Sequence, residues 1–200
     1  MKVISWNLLR LTGAAVEDVA ALIRCEQPDL LLMQEATAAM DALPLLVGGH
    51  FWRQPSPQRI HGLAAWSPQP LADYQVLPLP FSRIPGRVPP RIAQLFRIGD
   101  VTYANVHLSH GQLLNRRQLS RIAAALEGPA AVIGDYNAVG PTQLMGFQDV
   151  GPREPTHVAR NIVPFRLDRC LVRGLRCAAA RTLARGPSDH CPIVLELKVA

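Results

Sequence analysis

Two residues that can carry out acid–base chemistry, Asp189 and His190, directly precede the apolar run CPIVLELKV at the end of the chain. Water solvates both side chains well, so they rarely stand beside a buried strand unless they are paired or bound to a ligand. One interpretation is a turn that caps the last strand. The other is a catalytic pair in which His190 acts as a general base beside a carboxylate.

Similar polar residues stand where other apolar runs end or are interrupted. Strands that end at the same edge of a sheet gather such groups, and α/β proteins commonly build ligand sites there. We therefore predict that these residues meet the Asp189–His190 pair in one site. The residues are Asn7, Glu35, His107, Asp135, Asn137 and Asp168.

The residue types indicate a hard metal ion and an activated water molecule. Asn7, Glu35 and Asp189 offer oxygen ligands, which favour Mg²⁺, with Mn²⁺ as an alternative, over a soft metal ion. Asp168 could hold one ring nitrogen of His190, so that the other ring nitrogen faces water. An Asp–His pair of this kind activates water.

The remaining polar residues suit the binding of an oxyanion. Asp135 and Asn137 are two apart on a predicted extended segment, which would point both side chains the same way. His107 could donate a hydrogen bond to a phosphoryl oxygen or to a leaving group. Each residue also fits an ordinary position, such as a turn residue or, for Glu35, an acid at a helix N-terminus. We interpret His61 and His157 as surface residues and His110 as a loop neighbour of His107.

The size and composition of the chain limit the class of protein. Its 200 residues, 48% of them hydrophobic, predict a single domain over residues 1–200 with a substantial core. We find no apolar run long enough to span a bilayer and no signal peptide in the first residues, so we expect a soluble, cytoplasmic protein. The cysteines lack zinc-ligand spacing, and we interpret them as reduced core thiols. They are Cys25, Cys170, Cys177 and Cys191.

The formal net charge of +6 comes almost wholly from arginine. A basic chain favours anionic partners such as nucleic acid or acidic lipid, because contacts with phosphates release counterions. Arg83, Arg87 and Arg91 lie in a Pro-containing loop that precedes a predicted hairpin, and we expect Arg91 to contact a phosphate. A predicted helix carries three further arginines, Arg116, Arg117 and Arg121, and we expect Arg116 and Arg121 to be exposed to solvent.

The order of predicted elements indicates an α/β sandwich with helices on the outside. The chain opens with a strand, a helix and a buried strand, and its middle is mainly β, with a hairpin at Gly99–Asp100. A helix over LLNRRQLSRIAAALEG precedes the buried strand AAVIGD, PTQLMG predicts one helical turn, and three strands complete the chain. Helices beside many strands favour a layered arrangement.

Six short segments, taken in order, resemble the endonuclease/exonuclease/phosphatase superfamily, which has the DNase I-like fold. They are SWN, MQE, NVHL, IGDYN, RLD and SDHCPI, and they run from residue 5 to residue 193. The resemblance implies a four-layered α/β/β/α sandwich, with two packed mixed β-sheets and the helices outside. It also implies Mg²⁺-dependent attack of water on a phosphate ester.

The resemblance implies a role for each matched residue. Glu35 would be the principal metal ligand with Asn7 nearby, and Asp189 would support the metal or the base. His190 would be the base or an electrostatic partner of the transition state, oriented by Asp168. The other matched residues would position the nucleophile and the phosphate (Asp135 and Asn137) and stabilise charge on the phosphoryl oxygens (His107).

The branch of the superfamily is less clearly marked. The ending is similar to that of the exonuclease III-like apurinic endonucleases, but Leu9 stands where those enzymes usually carry Asp, and His107 where they use Tyr. His107 is similar to the DNase I, sphingomyelinase and inositol-phosphatase branches, yet no Glu between Glu35 and Glu127 is present to support it. PFRLDRCL shares part of the inositol-phosphatase signature, with Arg166 in place of its Trp.

These features predict a Mg²⁺-dependent phosphodiesterase, a nuclease on DNA or RNA with little sequence specificity. An alternative is a phosphatase or phosphodiesterase that acts on a phospholipid, an inositol phosphate or another small phosphoester. A third hypothesis is a non-catalytic binding module of the same fold. We expect no stable insertion into a membrane, because no basic amphipathic helix with an apolar face is present.

Overall fold

Alternating and continuous apolar runs form two six-stranded β-sheets, and two short strands form a third, two-stranded sheet. The structure, a computed structural model, describes residues 1–82, 89–159 and 162–200, so Arg83 and Arg87 lie outside the described residues. The strands are β1 (Lys2–Asn7), β2 (Leu30–Ala36), β3 (His50–Pro55), β4 (Gly62–Ser67), β5 (Ala72–Pro78), β6 (Ile92–Ile98), β7 (Val101–His107), β8 (Ala130–Asp135), β9 (Gln148–Asp149), β10 (His157–Ala159), β11 (Val163–Phe165), β12 (Asp168–Arg173), β13 (Leu175–Thr182) and β14 (Ile193–Val199). The helices are α1 (Val16–Glu26), α2 (Leu43–Val47), which follows a 3₁₀ turn at Ala38–Ala42, and α3 (Gln112–Ala125).

Two six-stranded sheets form the centre of the fold. The first has the order β13-β14-β1-β2-β4-β3 and the second the order β5-β6-β7-β8-β12-β9. Each sheet is mixed, because β1 pairs with β2 and β7 pairs with β8 in parallel, whereas the other pairs are antiparallel. The parallel pairs bring the carboxyl ends of β1 and β2 together, and likewise those of β7 and β8.

The side chains between and outside the sheets form three apolar layers. The layer between the sheets contains Leu32, Tyr103 and Ile133. On the outer face of the first sheet, Ile23 of α1 packs with residues of β1 and β2, and on the outer face of the second sheet, Ile122 of α3 packs with β7 and β8. The predicted four-layered α/β/β/α sandwich is therefore confirmed.

A buried polar network crosses the interface between the two sheets. Asn105 of β7 donates from Nδ2 to the carbonyl oxygens of Met33 (3.1 Å) and Ala64 (3.0 Å) in the first sheet. Its Oδ1 accepts from Gln34 Nε2 at 2.8 Å, and its Nδ2 also lies 3.0 Å from Gln94 Oε1. Because buried amides need partners, this network favours one alignment of the sheets.

Some local predictions were wrong. PTQLMG contains a turn without a helix, and the short strands β10 and β11 were not predicted. The cysteines are all free, but only Cys170 is fully buried, since Cys25 is exposed and Cys177 and Cys191 are intermediate. The helical arginines Arg116, Arg117 and Arg121 are exposed, as predicted for Arg116 and Arg121. No helix in the described part of the chain is long and apolar enough to cross a membrane.

Candidate active site

The inner faces of the central strands change from apolar to polar toward their carboxyl ends. In β7, Tyr103 is followed two residues later by Asn105 and then by His107, and all three side chains are buried. In β8, Ile133 is followed by Asp135. Side chains two residues apart share a face, and His107 is the register partner of Asp135. Strand geometry therefore places both groups at one edge of the interface.

Asp168 and His190 form the shortest ion pair of the site. Asp168, the first residue of β12, is the register partner of Asp135 and is fully buried. Its Oδ2 lies 2.7 Å from Nδ1 of His190, and Nε2 of His190 lies 3.9 Å from Oδ2 of Asp135. The imidazole thus stands between two carboxylates, as the sequence predicted for Asp168.

The surroundings of His190 and Asp135 shift both of their pKa values. Burial lowers the pKa of His190, but the charges of Asp168 and Asp135 and the hydrogen bond to Asp168 outweigh it and raise this pKa to about 10. Burial, reinforced by the charge of Asp168, raises the pKa of Asp135 to about 6, although His190 and the hydrogen bonds from Asn137 and Asn7 oppose it. His190 is therefore an imidazolium at neutral pH in the metal-free protein.

The SDH segment is fixed by contacts with β1. Ser188 Oγ donates to the carbonyl oxygen of Asn7 at 2.6 Å and accepts from the backbone N–H of His190 at 3.1 Å. Trp6 Nε1 donates to the carbonyl oxygen of His190 at 3.0 Å. These contacts do cap the start of the last strand, and the same contacts hold His190 against Asp168. The turn that caps the last strand and the candidate site therefore depend on the same contacts.

His107 is supported by Asp135. Nε2 of His107 lies 3.4 Å from Oδ2 of Asp135, which also accepts a hydrogen bond from Asn7 Nδ2 at 3.0 Å. Burial, with the charges of Arg91 and His190, holds the pKa of His107 well below its usual value. This imidazole is therefore neutral, and Asp135 supplies the carboxylate that no Glu of the intervening sequence could supply.

Asp135 and Asn137 do not lie on an extended segment, so that prediction was wrong. β8 ends at Asp135, and Asn137 adopts a left-handed backbone with φ 48°. The backbone N–H of Asn137 donates to Asp135 Oδ1 at 2.8 Å, and its Nδ2 donates to the carbonyl oxygen of Leu108 at 3.0 Å. A side chain that folds back on its own turn brings the two residues together without the alternation we assumed.

A buried arginine holds the loop that follows Asn137. Arg169 donates from Nη2 to the carbonyl oxygens of Ala138 (3.2 Å) and Gly140 (2.6 Å), while its Nη1 lies 3.2 Å from Asp149. Asp149 also accepts two hydrogen bonds of 2.7 Å from Arg166. Arg166, which replaces the Trp of the inositol-phosphatase signature, therefore belongs to this ion-pair network.

Glu35 lies at an irregularity in β2. The pairing of β2 with β4 shifts between Gln34 and Ala36, and Glu35 has φ 56°, in the left-handed region. This bulge breaks the strict alternation of the strand. Oε2 of Glu35 accepts from the backbone N–H of Arg10 at 3.3 Å and lies 3.4 Å from Arg10 Nη1. Glu35 is thus a strand residue and does not begin a helix.

His157 was interpreted as a surface residue, and that interpretation was wrong. Its Nε2 lies 3.3 Å from Oδ2 of Asp189, and its ring centroid is 4.5 Å from that of His190. An isolated bridge between His157 and His190 places it there. His157 begins β10, which pairs with β11. Each of these strands has only three residues, which is too few for the sequence to show a clear periodicity.

His61 was likewise wrongly interpreted as a surface residue. Only 7% of its surface is exposed, and its Nε2 lies 3.5 Å from Nη1 of Arg10. Burial lowers the pKa of His61, the charge of Glu35 raises it, and the charges of the neighbouring arginines lower it further.

Burial also lowers the pKa of Arg91, while the charges of Asp135 and Glu35 raise it. Arg91 therefore lies within electrostatic reach of the site, where we expected a phosphate contact. His110 is an exposed residue of the loop after β7.

Two groups of described side chains are close enough to hold one metal ion. One consists of Asp135, Asp168 and His190, and the other of His157, Asp189 and His190. Glu35 is in neither group. Two of the carboxylate oxygens, Oδ1 of Asp168 and Oδ1 of Asp189, are buried without a hydrogen-bond partner. Buried oxygens of this kind suit a hard divalent cation, so these residues fit a divalent metal ion.

The sequence matches the family model for the endonuclease/exonuclease/phosphatase family over residues 4–190. The chain belongs to the endonuclease/exonuclease/phosphatase family. Enzymes of this family are divalent-metal-dependent hydrolases of phosphoester bonds, and the acidic and histidine groups described above could bind such a metal. No curated protein matches the chain.

Solved structures share the fold of this endonuclease/exonuclease/phosphatase family member over its whole length. A functionally unknown conserved protein from Enterococcus faecalis has a TM-score of 0.83 at 21% identity, with 100% of each chain covered. An endonuclease/exonuclease/phosphatase from Bacteroides vulgatus has a TM-score of 0.82 at 17% identity, covering 100% of this chain and 98% of that chain. A mannosyl-6-phosphatase from Bacteroides thetaiotaomicron has a TM-score of 0.76 at 16% identity, covering 99% of each.

Proposed function

We propose that this chain is a Mg²⁺-dependent phosphodiesterase, a nuclease that cleaves DNA or RNA with little sequence preference. The observation that carries the proposal is the buried line from Asp168 through His190 to Asp135, with distances of 2.7 Å and 3.9 Å. A fully buried carboxylate that orients an imidazole toward a second carboxylate is an arrangement for moving a proton and stabilising charge. The intact set of polar residues speaks against a non-catalytic binding module.

The metal ligands remain the predicted ones in this proposal. Glu35 would be the principal ligand, with Asn7 nearby and Asp189 in support. Mg²⁺ is the proposed ion and Mn²⁺ the alternative, because the donors are oxygen atoms. When bound, the ion would neutralise developing charge on the phosphate and lower the pKa of water. The long contacts of Glu35 with Arg10, at 3.3 and 3.4 Å, leave its carboxylate available for this role.

Side chains of the chain would orient the attacking water, transfer the proton and bind the phosphate. Asp135, whose pKa is raised to about 6 by burial, would orient the attacking water and accept hydrogen bonds from it. His190 would act as the base, or as an imidazolium that offsets charge in the transition state, with Asp168 fixing its Nδ1. His107 would donate to a phosphoryl oxygen, which requires a proton on the ring nitrogen that does not face Asp135, and Asn137 would position the phosphate through its turn with Asp135.

Nucleic acid is the proposed substrate because of charge. The net charge of +6 favours a polyanion, and Arg91 lies close enough to Asp135 and Glu35 to interact with both. The second candidate is a phospholipid, an inositol phosphate or another small phosphoester. A small arginine-lined cavity beside Glu35 favours this candidate. For the cellular location we propose the cytoplasm, in agreement with four free cysteines.

Hydrolysis of a substrate panel tests the proposal. The panel contains plasmid DNA, abasic duplex and RNA beside phosphoinositides and sphingomyelin, each with Mg²⁺, with Mn²⁺ and with EDTA. We expect metal-dependent cleavage of nucleic acid, and a rate for His190→Ala that is lower by roughly 10²–10⁴-fold. His110→Ala, which removes an exposed imidazole, is the matched control and should keep full activity.

Two results would change the assignment. Turnover of lipid without cleavage of nucleic acid would replace the nuclease with the second candidate. If no phosphoester is hydrolysed with either metal ion, or if His190→Ala retains the wild-type rate, the proposed active site is wrong.

A further inference from the structure

A small cavity lies beside Glu35. Its volume is about 150 Å³, an order of magnitude above the roughly 10–15 Å³ that one ordered water requires. It therefore has room for a tetrahedral anion. Its polar lining, which we call the arginine pocket, consists of Arg10, Glu35, Ser56, Arg59, His61 and Arg91.

The arginine pocket has more positive than negative charge. Three guanidinium groups, which stay protonated at neutral pH, face one carboxylate. Among the described residues, no side-chain hydrogen bond or ion pair is formed by Arg59 or Arg91, and Arg10 pairs with Glu35 only at 3.4 Å. Under the proposed function, a divalent cation bound to Glu35 would offset its negative charge, so the net positive charge of the arginine pocket would increase.

Two buried nitrogen atoms of the pocket residues lack partners. They are Nε of Arg91 and Nδ1 of His61, and the His61 side chain belongs to a residue that is only 7% exposed. Buried polar groups are normally hydrogen-bonded, and leaving one unsatisfied is unfavourable. A bound molecule with acceptor atoms would supply the partners that these nitrogen atoms lack.

The backbone holds the pocket arginines in place. In the loop between β3 and β4, the N–H of Ser56 donates to the carbonyl oxygen of His61 at 3.0 Å, and the N–H of Arg59 donates to that of Ser56 at 3.0 Å. The carbonyl oxygen of Arg91 accepts from the N–H of Leu79 at 3.0 Å. The positive groups are therefore presented by hydrogen-bonded turns.

We propose that the arginine pocket binds a second phosphate group of the substrate, a terminal phosphomonoester separate from the phosphate that is cleaved. This inference rests on the proposed function for the position of the cleaved phosphate. A phosphomonoester dianion matches an excess of two or more positive charges, and its terminal oxygens can accept bidentate hydrogen bonds from several guanidinium groups. A phosphodiester in a continuous chain offers one charge and two free oxygens, which suits this enclosed cavity less well.

Binding of inorganic phosphate tests the pocket without catalysis. We would titrate phosphate into the EDTA-treated protein by calorimetry, using wild type, Arg59→Gln and Arg116→Gln. Arg59 is exposed at the loop tip and Arg116 is exposed on α3, so both variants should fold and lose the same charge. We expect the affinity for phosphate to be about tenfold or more lower in Arg59→Gln than in wild type, because a charge-assisted contact is lost. Arg116→Gln should bind phosphate as wild type does. Equal affinity in all three proteins would overturn the proposal.

Kinetics then separate a substrate phosphate from a free anion. The two substrates are the p-nitrophenyl ester of thymidine 5′-phosphate and the same ester with an additional 3′-phosphate. For Arg59→Gln we expect KM for the second ester to rise about tenfold, with KM for the first unchanged. An equal effect on both esters, or no effect, would show that the pocket does not bind a second phosphate. Failure of wild type to hydrolyse either ester would count against the proposed function, whereas the calorimetry would still decide the pocket.

Discussion

His190 is held between two carboxylates, and its charge follows from that position. Asp168 lies 2.7 Å from Nδ1 and Asp135 lies 3.9 Å from Nε2. Burial alone would favour the neutral ring, but the two carboxylates outweigh it, and the pKa of His190 is raised to about 10. A cation bound at these carboxylates would compete with the imidazolium, so metal binding and the charge of His190 are linked.

The metal-free protein should lose stability as pH rises from about 7.5 to about 8.5. The unfolded chain releases the His190 proton near 6.5, whereas the folded protein keeps it up to about 10. The folded state therefore binds more protons in this window, and the free energy of unfolding falls by up to about 1.4 kcal/mol per pH unit. His107, His61, His157 and His110 have lowered pKa values in the folded protein and release their protons near 6.5 when unfolded, so their opposing contribution, like the titration of Asp135 near 6, lies below this window.

Urea unfolding in EDTA at a series of pH values measures this slope. We expect His190→Gln to remove most of it and Asp168→Asn to reduce it, since the neutral amide no longer raises the pKa of His190. His110→Gln is the control, because it removes an exposed histidine. Equal slopes in wild type and His190→Gln would contradict the charge assignment.

At the scale of the elements, the spacing of β7 and β8 brings His107 to Asp135. Gly134 has φ 144°, and a Cβ atom at this position would lie 2.0 Å from the carbonyl oxygen of Val106. Val106 is the register partner of Gly134 and directly precedes His107. The two strands can approach this closely only because residue 134 has no side chain.

Gly134→Ala should therefore damage both stability and activity. We expect the free energy of unfolding to fall by at least about 1–3 kcal/mol, since backbone must move to admit the methyl group. Activity should fall as well, because the His107–Asp135 distance of 3.4 Å would change. Thermal unfolding and the hydrolysis assay measure the two effects. Gly186→Ala is the control, since its Cβ would meet only Trp6 at 3.5 Å; wild-type behaviour of Gly134→Ala would refute the close-approach argument.

At the scale of the whole molecule, the buried amides fix how the sheets face each other. Asn105 and Gln34 are both fully buried and join β7 to β2 across the interface. Apolar side chains alone would pack in several alignments with similar energy, whereas this hydrogen-bond network is satisfied in one. The alignment matters for function because Glu35 comes from the first sheet, while Asp135 and Asp168 come from the second.

Asn105→Leu should destabilise the protein by about 2–4 kcal/mol, because the amide of Gln34 and two backbone carbonyl oxygens would lose a buried partner. Chemical denaturation measures the change. The control is Gln69→Leu, a polar-to-leucine change at an exposed position, for which we expect a change within about 0.5 kcal/mol. A similarly small change for Asn105→Leu would show that the network does not determine the alignment.

Several residues of the candidate site could be found from local sequence signals. Asp135 and His107 each end a clear apolar run and Asp168 interrupts one, and the structure brings Asp135 and Asp168 to His190 and His107 to Asp135. Neither His157 nor His61 carries such a signal. His157 reaches Asp189 through a hairpin of very short strands, and His61 is buried in a loop by contacts distant in sequence, so local patterns could not predict either position.

The sequence by itself indicated the layered fold and the types of group at the site, because alternation and strand length are local properties of the chain, and its six short motifs carried the resemblance to the family. Only the tertiary structure decided which groups are partners: His107 with Asp135, His157 with Asp189, and Arg10 with Glu35. The physical reason is that partner choice depends on strand register, on the bulge at Glu35 and on the close approach at Gly134. These features arise when two sheets pack, and no single segment encodes them.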